Sequence, residues 1–310
     1  MILTITYFHG FVFMPDAIYR YLLSENTKKK AEKVIIWASI ASFLVHLAVI
    51  ALVNLGWVNP PFESDLLTNP ISAIYTPFSF ILLFEVYLLV YHMPFSTSNY
   101  IAKQYEIITL IVIRRIFKDL ANLDLSIDWF EDKYDLIFTY DIVTALLLFV
   151  LIYFFHRLAD KKPSAKPIED LPSRVKVFIK RKRLMASLLV IVVVAMAIYS
   201  FVEWFIGVMG GLAGKTGSFI DINKIFFDEF FTVLILTDVL LLLFSFFHTT
   251  RFHVFIRNSG FIISTVLIRI SFSVDGIVNN ALIIVAVLFG VLILLITDQY
   301  VKLDSKNLEV

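Results

Sequence analysis

Ile277–Thr297 reads IVNNALIIVAVLFGVLILLIT, and this stretch decides the class of the fold. It carries no charged residue over a length that lets a helix cross the roughly 30 Å hydrocarbon core of a bilayer. It lacks the period-2 alternation of a barrel strand, so it reads as a helix in lipid. Seven more runs read the same way: Val34–Asn54, Ile71–His92, Tyr100–Asn122, Tyr134–Leu158, Leu184–Met209, Phe227–His248 and Phe255–Phe272. The third and seventh of the eight carry charge within the run. The expected fold is all-α, a polytopic integral membrane protein with eight transmembrane helices.

Composition points the same way. Apolar residues make up 59% of the 310, and mean hydropathy is +0.83, outside the soluble globular range. Cysteine is absent, which excludes disulfides, thiol catalysis and cysteine-ligated metals. Met1–Met14 is apolar but has neither the positive leader nor the small-residue cleavage site of a signal peptide.

A net charge of +1 hides a strong asymmetry between alternate connections. Arg20, Lys28, Lys29, Lys30 and Lys33 precede the first run, and the link between the fourth and fifth holds ten Lys or Arg from Arg157 to Arg183. Arg251 and Arg257 follow the sixth run, and Lys302 and Lys306 follow the eighth. The other connections are acidic or neutral, with Glu63, Asp65, Asp124, Asp128, Glu131 and Asp132. By the positive-inside rule both termini are cytoplasmic, which agrees with an even number of spans. The expected location is the cell inner (plasma) membrane.

Pro163, Pro167 and Pro172 stand among charges in the middle link, which reads as an exposed linker. The organisation expected is an N-terminal cytoplasmic or interfacial segment (1–33), a four-helix unit (34–158), a basic linker (159–183), a second four-helix unit (184–298) and a tail (299–310). Four spans return the chain to its starting side, so the units are expected to be parallel repeats about an axis along the membrane normal. Phe8, Phe11, Val12, Phe13, Ile18, Tyr19, Leu22 and Leu23 in the first segment suit a helix on the inner leaflet or a cover packed on the bundle.

Charge inside the runs repeats. Glu85 is followed by Lys103 at +18 and Arg115 a further 12 on; Asp238 is followed by Arg257 at +19 and Arg269 a further 12 on. An ionisable group at membrane depth is costly unless paired or hydrated, so each marks architecture or function. Superposing Arg115 on Arg269 also places Lys103 on Arg257 and Gln104 on Asn258. Asn258, Thr265 and Arg269 then share one face of the seventh span, as Gln104 and Arg115 share one face of the third.

The second unit resembles the PsiE-like family of bacterial phosphate-starvation-inducible membrane proteins. The likeness lies in Asp238, Phe252, His253, Arg257 and Arg269, which match an acid in the second span, an F-H-x-x-x-R turn and an arginine 12 residues later. The acid is Asp238 where the family pattern has Glu, and the first unit has Ser98 and Asn99 in place of the Phe-His pair. The resemblance implies a tandem-duplicated PsiE-like protein of bacterial origin and little about activity.

Two readings of the charges stay open. Glu85–Arg115 and Asp238–Arg269 are either buried ion pairs that fix helix packing or groups lining a polar path that relays protons or gates. Arg114 and Glu106 have no counterparts in the second unit, and Glu106 lies opposite Arg115 on the helix. Charge on several sides of one span suits a water-filled path, an oligomer interface or an internal ion-pair network. Asp141 and Asn280 are further polar insertions, and His46 reads as a histidine hydrogen-bonded within the bundle.

Lys180, Arg181, Lys182 and Arg183 form the densest basic run, suited to anionic lipid or to an anionic cytoplasmic ligand. Nucleic acid is not indicated, since only Phe178 interleaves the run. Gly210–Thr216 (GGLAGKT) fails as a nucleotide loop because Met209 stands where the first glycine is needed. No metal-ligand spacing, cofactor motif or catalytic cluster is found, and no enzyme is expected. The function expected is a membrane pore or transport protein, a homo-oligomeric ion channel with the charged residues beside a solvated path. The alternative is a non-transporting sensor or scaffold, or a stress or defence effector, whose basic face binds an anionic ligand or partner.

Overall fold

The computed structural model describes residues 19–57, 67, 69–120, 133–159, 173–209, 222–246 and 252–307. Gly210–Thr216 and the three linker prolines lie outside the described residues. Among those described there is no strand; the chain runs as α1 (Glu25–Asn54), α2 (Tyr75–His92), α3 (Thr97–Leu120), α4 (Lys133–Ala159), α5 (Ser173–Met209), α6 (Ile222–Phe246), α7 (Phe252–Ser271) and α8 (Gly276–Asn307). A short 3-10 turn, Pro70–Ile74, leads into α2.

Six of these helices are long and apolar enough to cross a membrane: Glu25–Asn54, Pro70–His92, Asp135–Ala159, Lys176–Tyr199, Phe252–Ser271 and Gly276–Leu303. The other two, α3 and α6, have 24 and 25 residues. The polarity of α3 has a structural counterpart. Ile101, Ala102, Gln104, Tyr105, Ile107 and Ile108 are all buried, and at about 100° per residue they cover well over half of its circumference. Protein, and not lipid, surrounds most of that helix.

Helix ends follow local chemistry. Ser24 caps α1, its hydroxyl accepting from the Thr27 N–H at 3.2 Å. At the other end Gly56 takes φ +73°, and Trp57 N–H and Gly56 N–H bond back to the Leu52 and Val53 carbonyls at 3.0 Å each. This 6→1 and 5→2 pair closes the helix through a left-handed residue that only glycine adopts without strain. The helix that holds the fifth apolar run begins earlier than the run does: Ser173–Arg183, expected within the basic linker, is continuous with it in a 37-residue helix. Basic side chains propagate a helix well. Likewise α8 carries on past Thr297 into the expected tail, where Lys302 and Asp298 pair at 2.9 Å.

Within each half, neighbours in sequence pack as neighbours in space. Phe78 stacks on Phe117 while Glu85 meets Lys103, which orients α2 against α3. Tyr105 meets Phe155 while Arg115 meets Asp141, which orients α3 against α4. The halves join where α4 packs on α8, α3 on α7 and α2 on α5. At that seam Phe155 lies 5.0 Å from Tyr105 and 5.8 Å from Phe261, ring to ring. Outward, Leu146, Leu147 and Val150 of α4 and Leu236, Leu240 and Leu243 of α6 stay exposed. Such broad apolar faces suit hydrocarbon and not water.

Tyr19–Leu23 cover the bundle. Leu23 is buried, Tyr19 and Leu22 pack on the same core, and Tyr87 donates to the Leu22 carbonyl at 2.9 Å. Burial raises the Tyr19 phenol above its ordinary pKa, against the opposing pull of Arg183. Of the two expectations for this segment, packing on the bundle describes these residues; residues 1–18 lie outside the description.

Candidate functional site

Charge in the bundle gathers in three places, and α3 touches each of them. Near the C-terminal end of α3, the guanidinium of Arg115 forks onto Asp141 of α4, with Nη2 2.7 Å from Oδ1 and Nε bonded to Oδ2. The same guanidinium reaches α8, where Nη1 donates to Asn279 Oδ1 at 2.8 Å and Nη2 donates to Asn280 Oδ1. Asn280 Nδ2 returns a bond to Asp141 Oδ1 at 2.6 Å, and Asn279 Nδ2 holds the Ser271 carbonyl at 2.6 Å. Asp141 is only 1% exposed, so its charge is sustained by a bidentate cation and an amide donor.

This corrects the expected pairing of Glu85 with Arg115. Glu85 instead faces Lys103 at 3.6 Å, in a second cluster about three turns away along α3. There Lys103 also bonds Glu106 one turn on, and Glu106 Oε1 takes His156 Nε2 of α4 at 3.0 Å. The reason is reach. Residues 103 and 106 share a face with each other and a level with Glu85, whereas Arg115 starts about 18 Å up the helix from Lys103 at 1.5 Å per residue. These four side chains are not fully enclosed: Glu85, Lys103 and Glu106 keep 18%, 21% and 26% of their surface, and His156 keeps 42%.

The third cluster crosses the seam. Asp238 of α6 is buried and accepts from Gln104 Nε2 of α3 at 3.1 Å, while Thr265 of α7 donates to Gln104 Oε1 at 2.6 Å. Tyr100 lies beside the carboxylate without a hydrogen bond of good geometry. Lys182 of α5 is buried across a small cavity of about 30 Å³ and donates to Thr97 Oγ1 at 3.2 Å. The expected Asp238–Arg269 ion pair does not form. Arg269 donates to Thr232 Oγ1 at 2.9 Å and Ser273 Oγ at 3.5 Å, and Thr232 lies six residues, about 9 Å, from Asp238 along α6.

Arg114 is buried at 6% exposure, so it does not form an open basic face with Lys103. Arg257 is partly buried and donates to the adjacent Asn258 at 3.4 Å. His46 bonds Thr76 Oγ1 at 2.5 Å and so ties α1 to α2, as a bundle histidine should. The basic quartet is split by the helix that carries it. Lys180 is exposed, Arg181 stacks over Phe244 at 5.3 Å, Lys182 is buried and Arg183 lies over Tyr19 at 5.2 Å. Four successive residues point about 100° apart, so a single patch from all four is ruled out. Among the described residues no group of three His, Asp or Glu is placed to hold a metal.

Sequence reasoning singled out Asp141 and Asn280 without giving them partners, and missed Asn279. The signal was available: an Asn-Asn pair inside an otherwise apolar run needs a polar partner on another helix. Compared with family models, with curated proteins and with solved structures, the chain gives no match.

Proposed function

We propose that this chain is a membrane channel or transport protein that acts as a homo-oligomer, with a solvated path beside Glu85, Lys103, Glu106 and His156. The observation that carries the reading is the partial exposure of this acid–base cluster on the flank of α2, α3 and α4. Charged groups facing hydrocarbon are costly, so this flank suits water or another protein surface. Among the described residues, the polar cavity beside Asp238 is small. The cavity between α3, α5, α6 and α7 measures about 30 Å³, enough for about one water. A path across the membrane therefore runs between copies, with the charged flank facing it.

In this reading α3 and α6 also cross, giving eight spans with both termini in the cytoplasm of a bacterial inner membrane. The tandem-repeat organisation and the PsiE-like resemblance belong to the same proposal. In support, each half packs in sequence order, and Asp141 and Asn280 meet where the fourth helix of each half touches the other. The test is ion flux in liposomes of purified protein, with crosslinking to count subunits. Lys103→Met and Glu106→Gln are expected to change conductance or selectivity. Vesicles that stay sealed under all ionic, voltage and pH conditions would overturn the proposal.

The small size of the cavity beside Asp238, about 30 Å³, favours a second reading, a non-conducting membrane sensor or stress effector whose basic face engages an anionic partner. Sealed vesicles together with a cytoplasmic partner captured through Lys180 and Arg181 would select it.

A further inference from the structure

The geometry points to a specific binding site for one anionic phospholipid in the groove between α5 and α6, with Arg181 holding the phosphate. The groove has a volume of about 350 Å³ and is lined by Arg181, Leu184, Met185 and Phe244. That volume lies within the range of small-molecule sites. Leu184 and Met185 follow Arg181 by three and four residues, so they continue its face of the helix about 5 Å deeper. A charged head and an apolar trough thus succeed one another along one line, in the order that a headgroup and an acyl chain require.

The state of Arg181 supports this. Its guanidinium lies over the Phe244 ring at 5.3 Å, and no carboxylate among the described residues pairs with it. A cation–π contact uses none of the guanidinium N–H groups as a hydrogen-bond donor, so they are available to a phosphate, which a guanidinium grips with two parallel bonds. The other basic residues of the run are placed differently. Lys182 is buried on Thr97, Arg183 covers Tyr19, and Lys180 is exposed beside the groove. Lys180 and Arg183 add positive potential, which disfavours a headgroup that carries its own cation and favours a net-negative lipid. The site lies in the first turns of the apolar helix Lys176–Tyr199, where the headgroup region of the cytoplasmic leaflet would meet it. It holds whether or not the protein conducts.

The test is native mass spectrometry of detergent-purified protein given equal amounts of phosphatidylglycerol and phosphatidylcholine. One retained phosphatidylglycerol in excess over phosphatidylcholine is expected. Arg181→Gln should weaken retention by about five- to tenfold, and Arg181→Lys by less, because a point charge keeps the attraction without the fork. Met185→Trp, which fills the trough and keeps the arginine, should also lose the lipid. Lys29→Gln, the same charge change at an exposed site on α1, should not. Retention at the wild-type level in Arg181→Gln, or an equal loss in Lys29→Gln, would overturn the assignment. So would displacement by glycerol phosphate at lipid-equivalent concentration, which would make the site one for a soluble phosphate ester. Gel filtration and thermal unfolding of each variant separate lost binding from lost folding.

Discussion

Tyr105 of α3 fills the space that a side chain at position 290 of α8 would need. A Cβ built on Gly290 would lie 1.7 Å from the Tyr105 hydroxyl oxygen and 2.7 Å from Cζ. That hydroxyl is 2.8 Å from Ser264 Oγ, which itself donates to the Ala286 carbonyl at 2.7 Å. One tyrosine thus ties the first half of the chain to two helices of the second, and glycine is what lets it in.

Gly290→Ala should destabilise the protein by about 1–3 kcal/mol, the cost of overpacking a close-packed contact. Tyr105→Phe removes the nearest atom, so the double variant should recover part of the loss. Thermal unfolding in detergent, analysed as a double-mutant cycle, measures the coupling. Strictly additive effects would contradict this contact.

Arg115→Ala strands Asp141, which is 1% exposed, and should cost about 3 kcal/mol. Asn280→Ala removes one amide donor to the same carboxylate and should cost about 1–2 kcal/mol. Asp141→Asn with Arg115→Met should be milder than Arg115→Ala alone, because no buried charge is left unmatched. Chemical denaturation of the set gives the order.

Gln104→Leu takes the hydrogen-bond donor from a buried carboxylate, Asp238, and the acceptor from Thr265. We expect a loss of about 1–3 kcal/mol. Adding Asp238→Leu should return some of it, since paired apolar replacement removes the desolvation cost. Unfolding temperatures of the single and double variants decide this.

Lys103→Met leaves two acids, Glu85 and Glu106, without their shared cation. It should disturb both stability and any reconstituted flux more than Glu106→Gln, which leaves Lys103 paired with Glu85. An unchanged flux together with normal folding would detach the cluster from transport.

Legibility differed by kind of feature. The eight apolar runs became eight helices because a long run without alternation has one way to satisfy its backbone in an apolar medium. Angular position on a helix follows from numbering alone, which puts Glu106 opposite Arg115, yet both long side chains reach α4, at His156 and Asp141. The same arithmetic shows why Lys180–Arg183 cannot be one surface, although a run of like charges invites that reading. Partners on other helices were not legible. Glu85 and Arg115 are complementary charges at a suggestive interval, yet their separation along α3 keeps them apart, while Asp141, Asn279 and Asn280 arrive from helices 26 to 165 residues away.

Periodicity, composition and the distribution of Lys and Arg determined by themselves that this is an all-helical chain with apolar helices of membrane-crossing length. They also marked which buried positions must find polar company. Tertiary packing alone decided who that company is: Lys103 for Glu85, Asp141 for Arg115, Gln104 for Asp238. The physical reason is that local sequence sets a side chain's angle and height on its own helix. A hydrogen bond or ion pair also needs the height and angle of the neighbouring helix, and those come from close packing around residues such as Tyr105 and Gly290.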